Sequence, residues 1–150
     1  MNIHWTLKSF DELTAMEMYL ILQLRNEVFI VEQNCPYQDM DNKDLKSQHL
    51  MGWDGSRLIA YTRLLPAGVS FSEVSIGRVV SSPVYRGKGI GKSLMEKSIN
   101  TICQLYGNLP IRIGAQLYLE RFYKSFHFEK DSDIYLEDGI EHIEMIRKSL

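Results

Sequence analysis

The stretch Arg86-Gly87-Lys88-Gly89-Ile90-Gly91-Lys92 constrains this chain more than any other. It lies between a strand-like run, Ile76-Gly77-Arg78-Val79-Val80, and a helix-like run that begins near Ile90. A strand, a glycine-rich turn and a helix in that order make a cradle for an anion. Glycine lets the backbone come close to the ligand, and the N–H groups of a first helical turn have no partner within the helix. Spacing separates the loops that use this device. A P-loop needs Gly, four residues, then Gly-Lys-Ser/Thr; Gly91-Lys92-Ser93 supplies its end, but Arg86 stands where its first glycine belongs. The dinucleotide fingerprint Gly-x-Gly-x-x-Gly starts at Gly87 and Gly89 and meets Lys92 where its last glycine belongs. What remains is Arg-x-x-Gly-x-Gly, with an ordinary glycine-rich helix cap as the plain alternative.

A second stretch lies downstream, Gln116-Leu117-Tyr118-Leu119-Glu120-Arg121-Phe122-Tyr123-Lys124-Ser125-Phe126-His127-Phe128. The first stretch resembles motif A of the GNAT acyltransferase superfamily, whose amides hold the pyrophosphate of acetyl-CoA, and the second resembles its motif B. The resemblance implies that Tyr123 is the acid that protonates the departing CoA thiolate. It also implies that main-chain N–H groups around Val79, Val80 and Ser81 bind the pantetheine arm and the oxygen of the tetrahedral intermediate. His127 stands where the family most often has glycine, and Gln116, a cofactor-side position, where many members have Asn. A residue other than glycine at 127 has to take up a left-handed conformation, which His tolerates better than most.

A third segment, Arg25 to Asp41 with His49 beyond it, and Asp138-Gly139-Ile140-Glu141-His142 near the C-terminus resemble the ElaA-like branch of that superfamily. The implied fold is mixed α/β (α+β), a mostly antiparallel mixed sheet flanked by helices. The implied activity is N-acetyl transfer from acetyl-CoA to an amine that the resemblance does not name.

Composition bounds the rest. A chain of 150 residues, 45% hydrophobic and 24% charged, has enough apolar material for one core, so a single domain over 1–150 is expected. A formal charge of −2 argues against nucleic acid, which selects basic faces. Two cysteines, Cys35 and Cys103, make no disulfide framework and read as free thiols. The start, Met1-Asn2-Ile3-His4-Trp5, has no basic leader, and no run is long and apolar enough for a membrane span. The expectation is a soluble, cytoplasmic protein whose partner is a small-molecule or protein amine. A homodimer would suit the superfamily.

Along the chain, Ile3 to Leu7 reads as a strand, and Thr14-x-x-Glu17 as a capping box for a helix reaching about Val31. Leu20, Leu24 and Val28 share one face of that helix, and Met16 extends it. Residues 34–44 read as a polar loop. Leu50 to Trp53 and Leu58 to Leu65 flank Asp54-Gly55, a hairpin turn signal. Ser72 to Val80 is the next strand, and Ile90 to Leu105 a helix stopped by Gly107. A strand from Ile111, a helix over Leu117 to Ser125 and a strand over Ile140 to Ile146 complete the order β-α-β-β-β-α-β-α-β.

Amine acetylation needs a base for the ammonium, donors for the carbonyl oxygen and an acid for the thiolate. A phenol, with a pKa of roughly 10, is still protonated at neutral pH, which suits Tyr123 to the last task. For the base, Glu73 lies on the strand that precedes the glycine loop, near where several family members keep a carboxylate. Glu32, His49 and His142 are its rivals and the candidate substrate contacts. Each also has a plain reading, as a solvated carboxylate or a satisfied core histidine. Cys35 offers a ping-pong route as the alternative to direct attack. A calcium loop would need Gly and Glu where counting from Asp39 finds Asp44 and Leu50, so no metal is expected. The acidic loop then reads as a solvated lip or a surface for a cationic amine, anchored by Arg25. A catalytically silent acyl-CoA-binding or partner-binding module on the same fold is the alternative to an enzyme.

Overall fold

The Asp54-Gly55 turn brings β2 (Gln48–Asp54) against β3 (Arg57–Leu65), and β1 (His4–Ser9) pairs with the outer edge of β2. Gly55 has a φ of 59°, the left-handed value such a two-residue turn requires. β4 (Val74–Ser81) continues the antiparallel meander. The computed structural model describes residues 1–149; Leu150, the last residue of the expected domain, lies outside them.

β5 (Ile111–Gln116) joins β4 in parallel, and β8 (Ile140–Arg147) pairs antiparallel with β5. β6 (Glu129–Lys130) and β7 (Tyr135–Glu137) both pair with β8, giving an eight-stranded sheet in the order β1-β2-β3-β4-β5-β8-β6, with β7 also on β8. The sequence reading missed β6 and β7, which are too short to show a period of their own.

Helix α1 (Ala15–Arg25) starts at the expected capping box: the Thr14 hydroxyl accepts from the Glu17 amide at 3.1 Å, and Glu17 accepts from the Thr14 amide at 2.9 Å. It runs on as a π-helical segment over Asn26–Glu32. Its buried stripe is Ile21, Leu24 and Val28, packed on Met51, Tyr61 and Val80, while Met16 stays 65% exposed. Leu24 and Val28 are thus buried as expected and Leu20 packs at the edge of the cluster, while Ile21 joins the stripe and Met16 does not extend it. Burial of such side chains stabilises by about 1.5–3 kcal/mol each.

Helices α2 (Ile90–Tyr106) and α3 (Glu120–Lys124) pack on the other sheet face, where Met95, Ile99 and Ile102 meet Val74, Ile76, Ile113 and Ala115. Gly107, with φ 90°, ends α2 as expected. His127 has φ 71°, the left-handed conformation that its replacement of glycine demanded.

Two irregularities position the site. The step from Tyr61 to Arg63 on β3 is matched by the longer step from Val80 to Gly77 on β4, so β4 carries an extra residue. Arg78 sits in that bulge with φ 50°. Beyond it, the ladder between β4 and β5 covers only Val74 with Ile111 and Ser75 with Arg112. The strands then part, and the facing edges of 76–81 and 113–116 are left without a ladder.

Candidate active site

The parting of β4 and β5 opens a cavity of about 1030 Å³ that passes between the two sheet faces. This lies at the upper end of the roughly 300–1,000 Å³ typical of ligand sites. Val79, Val80 and Ser81 line it from β4, Gln116 from β5, and Arg86 and Gly91 from the glycine loop. Gly87 and Gly89 have φ of 81° and 73°, which explains glycine at both positions. Gly89 caps α2 without a side-chain hydrogen bond, and the first helical bond in the loop is Ser93 N–H to Gly89 O at 3.1 Å. The amides of Ile90, Gly91 and Lys92 precede it and are the free donors of the first turn. Gly87, Lys88, Gly89 and Lys92 are exposed around them and Ile90 is buried.

Tyr123 comes from α3 on the core face, surrounded by Phe122, Phe126 and Phe128, and lines the cavity. Among the described residues its hydroxyl has no hydrogen-bond partner. Burial, and to a lesser degree the neighbouring Tyr118, pushes its phenol above the ordinary tyrosine range, so it holds its proton at any physiological pH.

The opposite wall is ionic. Arg25, completely buried, donates to Asp39 at 2.9 Å and to Asp44 at 2.7 and 3.2 Å. Arg63 donates to Asp41 at 2.7 and 2.6 Å and to Asp44 at 3.1 Å. Arg78 donates to Asp39 at 2.8 Å and lies over the Tyr37 ring at 5.8 Å. These bonds hold the left-handed Arg78, and with it the bulge, against the loop. Burial raises the carboxyls of Asp41 and Asp44, yet the arginine hydrogen bonds and charges outweigh it and leave both below the usual carboxylate range. Nε of Arg63 is the one buried side-chain polar atom without a partner among the described residues.

Several expectations change accordingly. The acidic loop is not a solvated lip: Asp39 and Asp44 are 8% and 6% exposed and bound by arginines. Arg25 anchors it as expected. His49 is no substrate contact, because it is fully buried outside the cavity, with Nδ1 2.6 Å from the Tyr61 hydroxyl and Nε2 2.9 Å from the Asp44 carbonyl. Burial holds it neutral.

Glu73 precedes β4 and does not line the cavity; it accepts from Arg112 at 3.1 Å, and that bond lowers its pKa and weakens it as a base. Glu32 and Arg86 both line the cavity but bind each other at 2.5 and 2.6 Å. Gln116 exchanges two amide bonds of 3.2 Å with Gln33 across the opening. His142 lines the cavity from β8.

The sequence reading missed Gln33 and Arg78. Gly77 inside a strand was the available sign of a bulge beside Arg78. Among the described residues no group of His, Cys, Asp and Glu is arranged to hold a metal ion, and no helix is long and apolar enough to cross a membrane.

The family model described as an acetyltransferase (GNAT) domain matches residues 13–149. Protein ElaA of Escherichia coli K12 is 43% identical over 148 residues, covering 97% of each chain. The crystal structure of an acyl-CoA N-acyltransferase from Pseudomonas aeruginosa superposes with a TM-score of 0.93 at 44% identity, over 97% of this chain and 99% of that one. A GNAT family acetyltransferase from Elizabethkingia anophelis, solved with acetyl-CoA bound, shares the fold at TM-score 0.66 and 15% identity, over 98% of both chains. The glycine loop, the parted strands and the full-length likeness to ElaA agree, and the chain belongs to the GNAT acetyltransferase family.

Proposed function

We propose that this protein transfers the acetyl group of acetyl-CoA to a primary amine by direct attack, with Tyr123 as general acid. The observation that carries this reading is the Tyr123 hydroxyl, without a partner among the described residues, in the cavity between β4 and β5. Acetyl-CoA supplies an activated thioester. The free amides at the start of α2 suit its pyrophosphate, and the unladdered edge of β4 at Val79, Val80 and Ser81 suits the pantetheine amides and the carbonyl oxygen. The apolar surroundings that keep the phenol protonated also raise the cost of a bare thiolate, so proton transfer accompanies C–S cleavage.

Cys35 is ill suited to carry the acetyl group, since its thiol donates to the Asp138 carbonyl at 3.2 Å. Thiol release from acetyl-CoA across polyamines, amino acids, aminoglycosides and N-terminal peptides tests the reading. Amine-dependent release supports it. Calorimetric binding of acetyl-CoA without release for any amine favours a silent binding module.

A further inference from the structure

Antiparallel pairing sets Tyr135 of β7, His142 of β8 and Gln116 of β5 opposite one another, so the three side chains share one sheet face. Their neighbours Ile143, Met145 and Ala115 enter the core on the other face, the face from which Tyr123 reaches the cavity. His142 and Tyr123 therefore approach one cavity from opposite sides of the sheet.

The imidazole is held in one orientation. Its Nδ1 lies 2.8 Å from the Ile140 carbonyl oxygen, and its ring stacks on Tyr135 with centroids 5.8 Å apart and planes 27° from parallel. A carbonyl only accepts, so Nδ1 carries the hydrogen and the neutral ring has its lone pair on Nε2. That atom is 3.4 Å from Oε2 of Glu137, a carboxylate placed to stabilise the imidazolium once a proton arrives. Tyr135 on β7 is the titratable group in contact with the ring, and Asp138 in the β7–β8 turn and Cys35, bonded to its carbonyl, line the same cavity. Glu144, on β8 itself, is paired to Arg112 at 3.0 Å.

Resting on the acetyl-transfer reading above, we infer that His142 is the general base that deprotonates the acceptor ammonium, with Glu137 as its positioning partner. An N–H bond of the ammonium breaks and its proton passes to Nε2 of His142. The freed lone pair forms the C–N bond at the thioester carbon. The C–S bond then breaks with its electron pair on sulfur, which takes the phenolic proton of Tyr123. The second proton on nitrogen returns to the tyrosinate, and the imidazolium releases its own to solvent. Ammonium and acetyl-CoA thus give amide, CoA thiol and one proton. Glu73 and Glu32, the carboxylate rivals, are each held by an arginine.

The test is the pH profile of kcat/KM for wild type, His142→Gln and Glu137→Gln, with calorimetric acetyl-CoA binding as the control for folding. Wild type should show an acid limb that His142→Gln lacks, together with a loss of about 100-fold or more. That loss should shrink for weakly basic amines such as hydrazines, which are already unprotonated. Glu137→Gln, which removes only the carboxylate 3.4 Å from Nε2, should lower kcat/KM several-fold, less than His142→Gln does, with acetyl-CoA binding unchanged. It keeps the test open if His142→Gln does not fold. An unchanged acid limb in folded His142→Gln, or an unchanged kcat/KM in folded Glu137→Gln, overturns the inference while leaving acetyl transfer standing. No release by wild type with any amine removes the acetyl-transfer reading and this inference with it.

Discussion

Two walls of the same cavity carry ionisable side chains and treat them in opposite ways. On the loop side, Arg25, Arg63 and Arg78 are bound to Asp39, Asp41 and Asp44, largely away from water. On the α3 and β8 side, Tyr123 and His142 line the cavity; the Tyr123 hydroxyl has no partner among the described residues, and Nε2 of His142 has only the Glu137 carboxylate at 3.4 Å. Paired charges fix a shape, and here they hold the bulge of β4 beside its parting from β5. Unsaturated groups can give or take a proton. The difference separates residues that build the site from residues that work in it; of the ionic group only Asp41, Arg63 and Arg78 reach the cavity itself.

The sharpest way to break this division is Arg25→Leu. It leaves Asp44 with Arg63 alone and Asp39 with Arg78 alone, both still buried, and should cost about 3–5 kcal/mol in denaturant unfolding. A loss within the few tenths of an exposed pair would show that the wall is not structural.

Next comes Gly89→Asp, which puts a side chain on a backbone at φ 73° and sets a carboxylate at the anion cradle. Acetyl-CoA should bind at least about 100-fold more weakly, roughly 2.8 kcal/mol, by calorimetry. Unchanged affinity would mean that the cradle lies elsewhere.

Acid sharpens the comparison further. Asp41 and Asp44 titrate lower when folded than when unfolded, so the unfolded chain takes their protons first as pH falls below about 4. Their stabilisation is complete above that pH and is lost on descent through their lowered folded values. His49, buried and neutral, adds a weaker loss that begins near the unfolded imidazole value of about 6.5. Stability should therefore be flat above roughly pH 7 and steepen below pH 4, at up to about 1.4 kcal/mol per unit for each proton taken up. A midpoint of thermal unfolding independent of pH down to about 3 would contradict the pairing.

The smallest effect is expected of Cys35→Ser, whose hydroxyl can make the same bond to the Asp138 carbonyl. Turnover should stay within about twofold, and loss by orders of magnitude would restore the acyl-enzyme route.

What the sequence made legible is what depends on near neighbours in the chain. The glycine loop, the capping box at Thr14 and Glu17, the Asp54-Gly55 turn and the left-handed His127 each follow from a few adjacent residues. The parting of β4 and β5 does not, because it arises from pairing between strands far apart in the chain. The histidines show the same limit. His49 and His142 looked alike as candidates, and only tertiary packing buries one against Tyr61 and turns the other into the cavity. Glu73 likewise sat at a plausible place on its strand, but Arg112, contributed by β5, occupies it.

The most direct measurement is the affinity of Tyr123→Phe for acetyl-CoA beside its single-turnover rate with a saturating amine. Direct attack with Tyr123 as acid predicts binding unchanged within about twofold and a rate lowered by roughly 100- to 10,000-fold. Loss of binding along with the rate, or an unchanged rate, would contradict it.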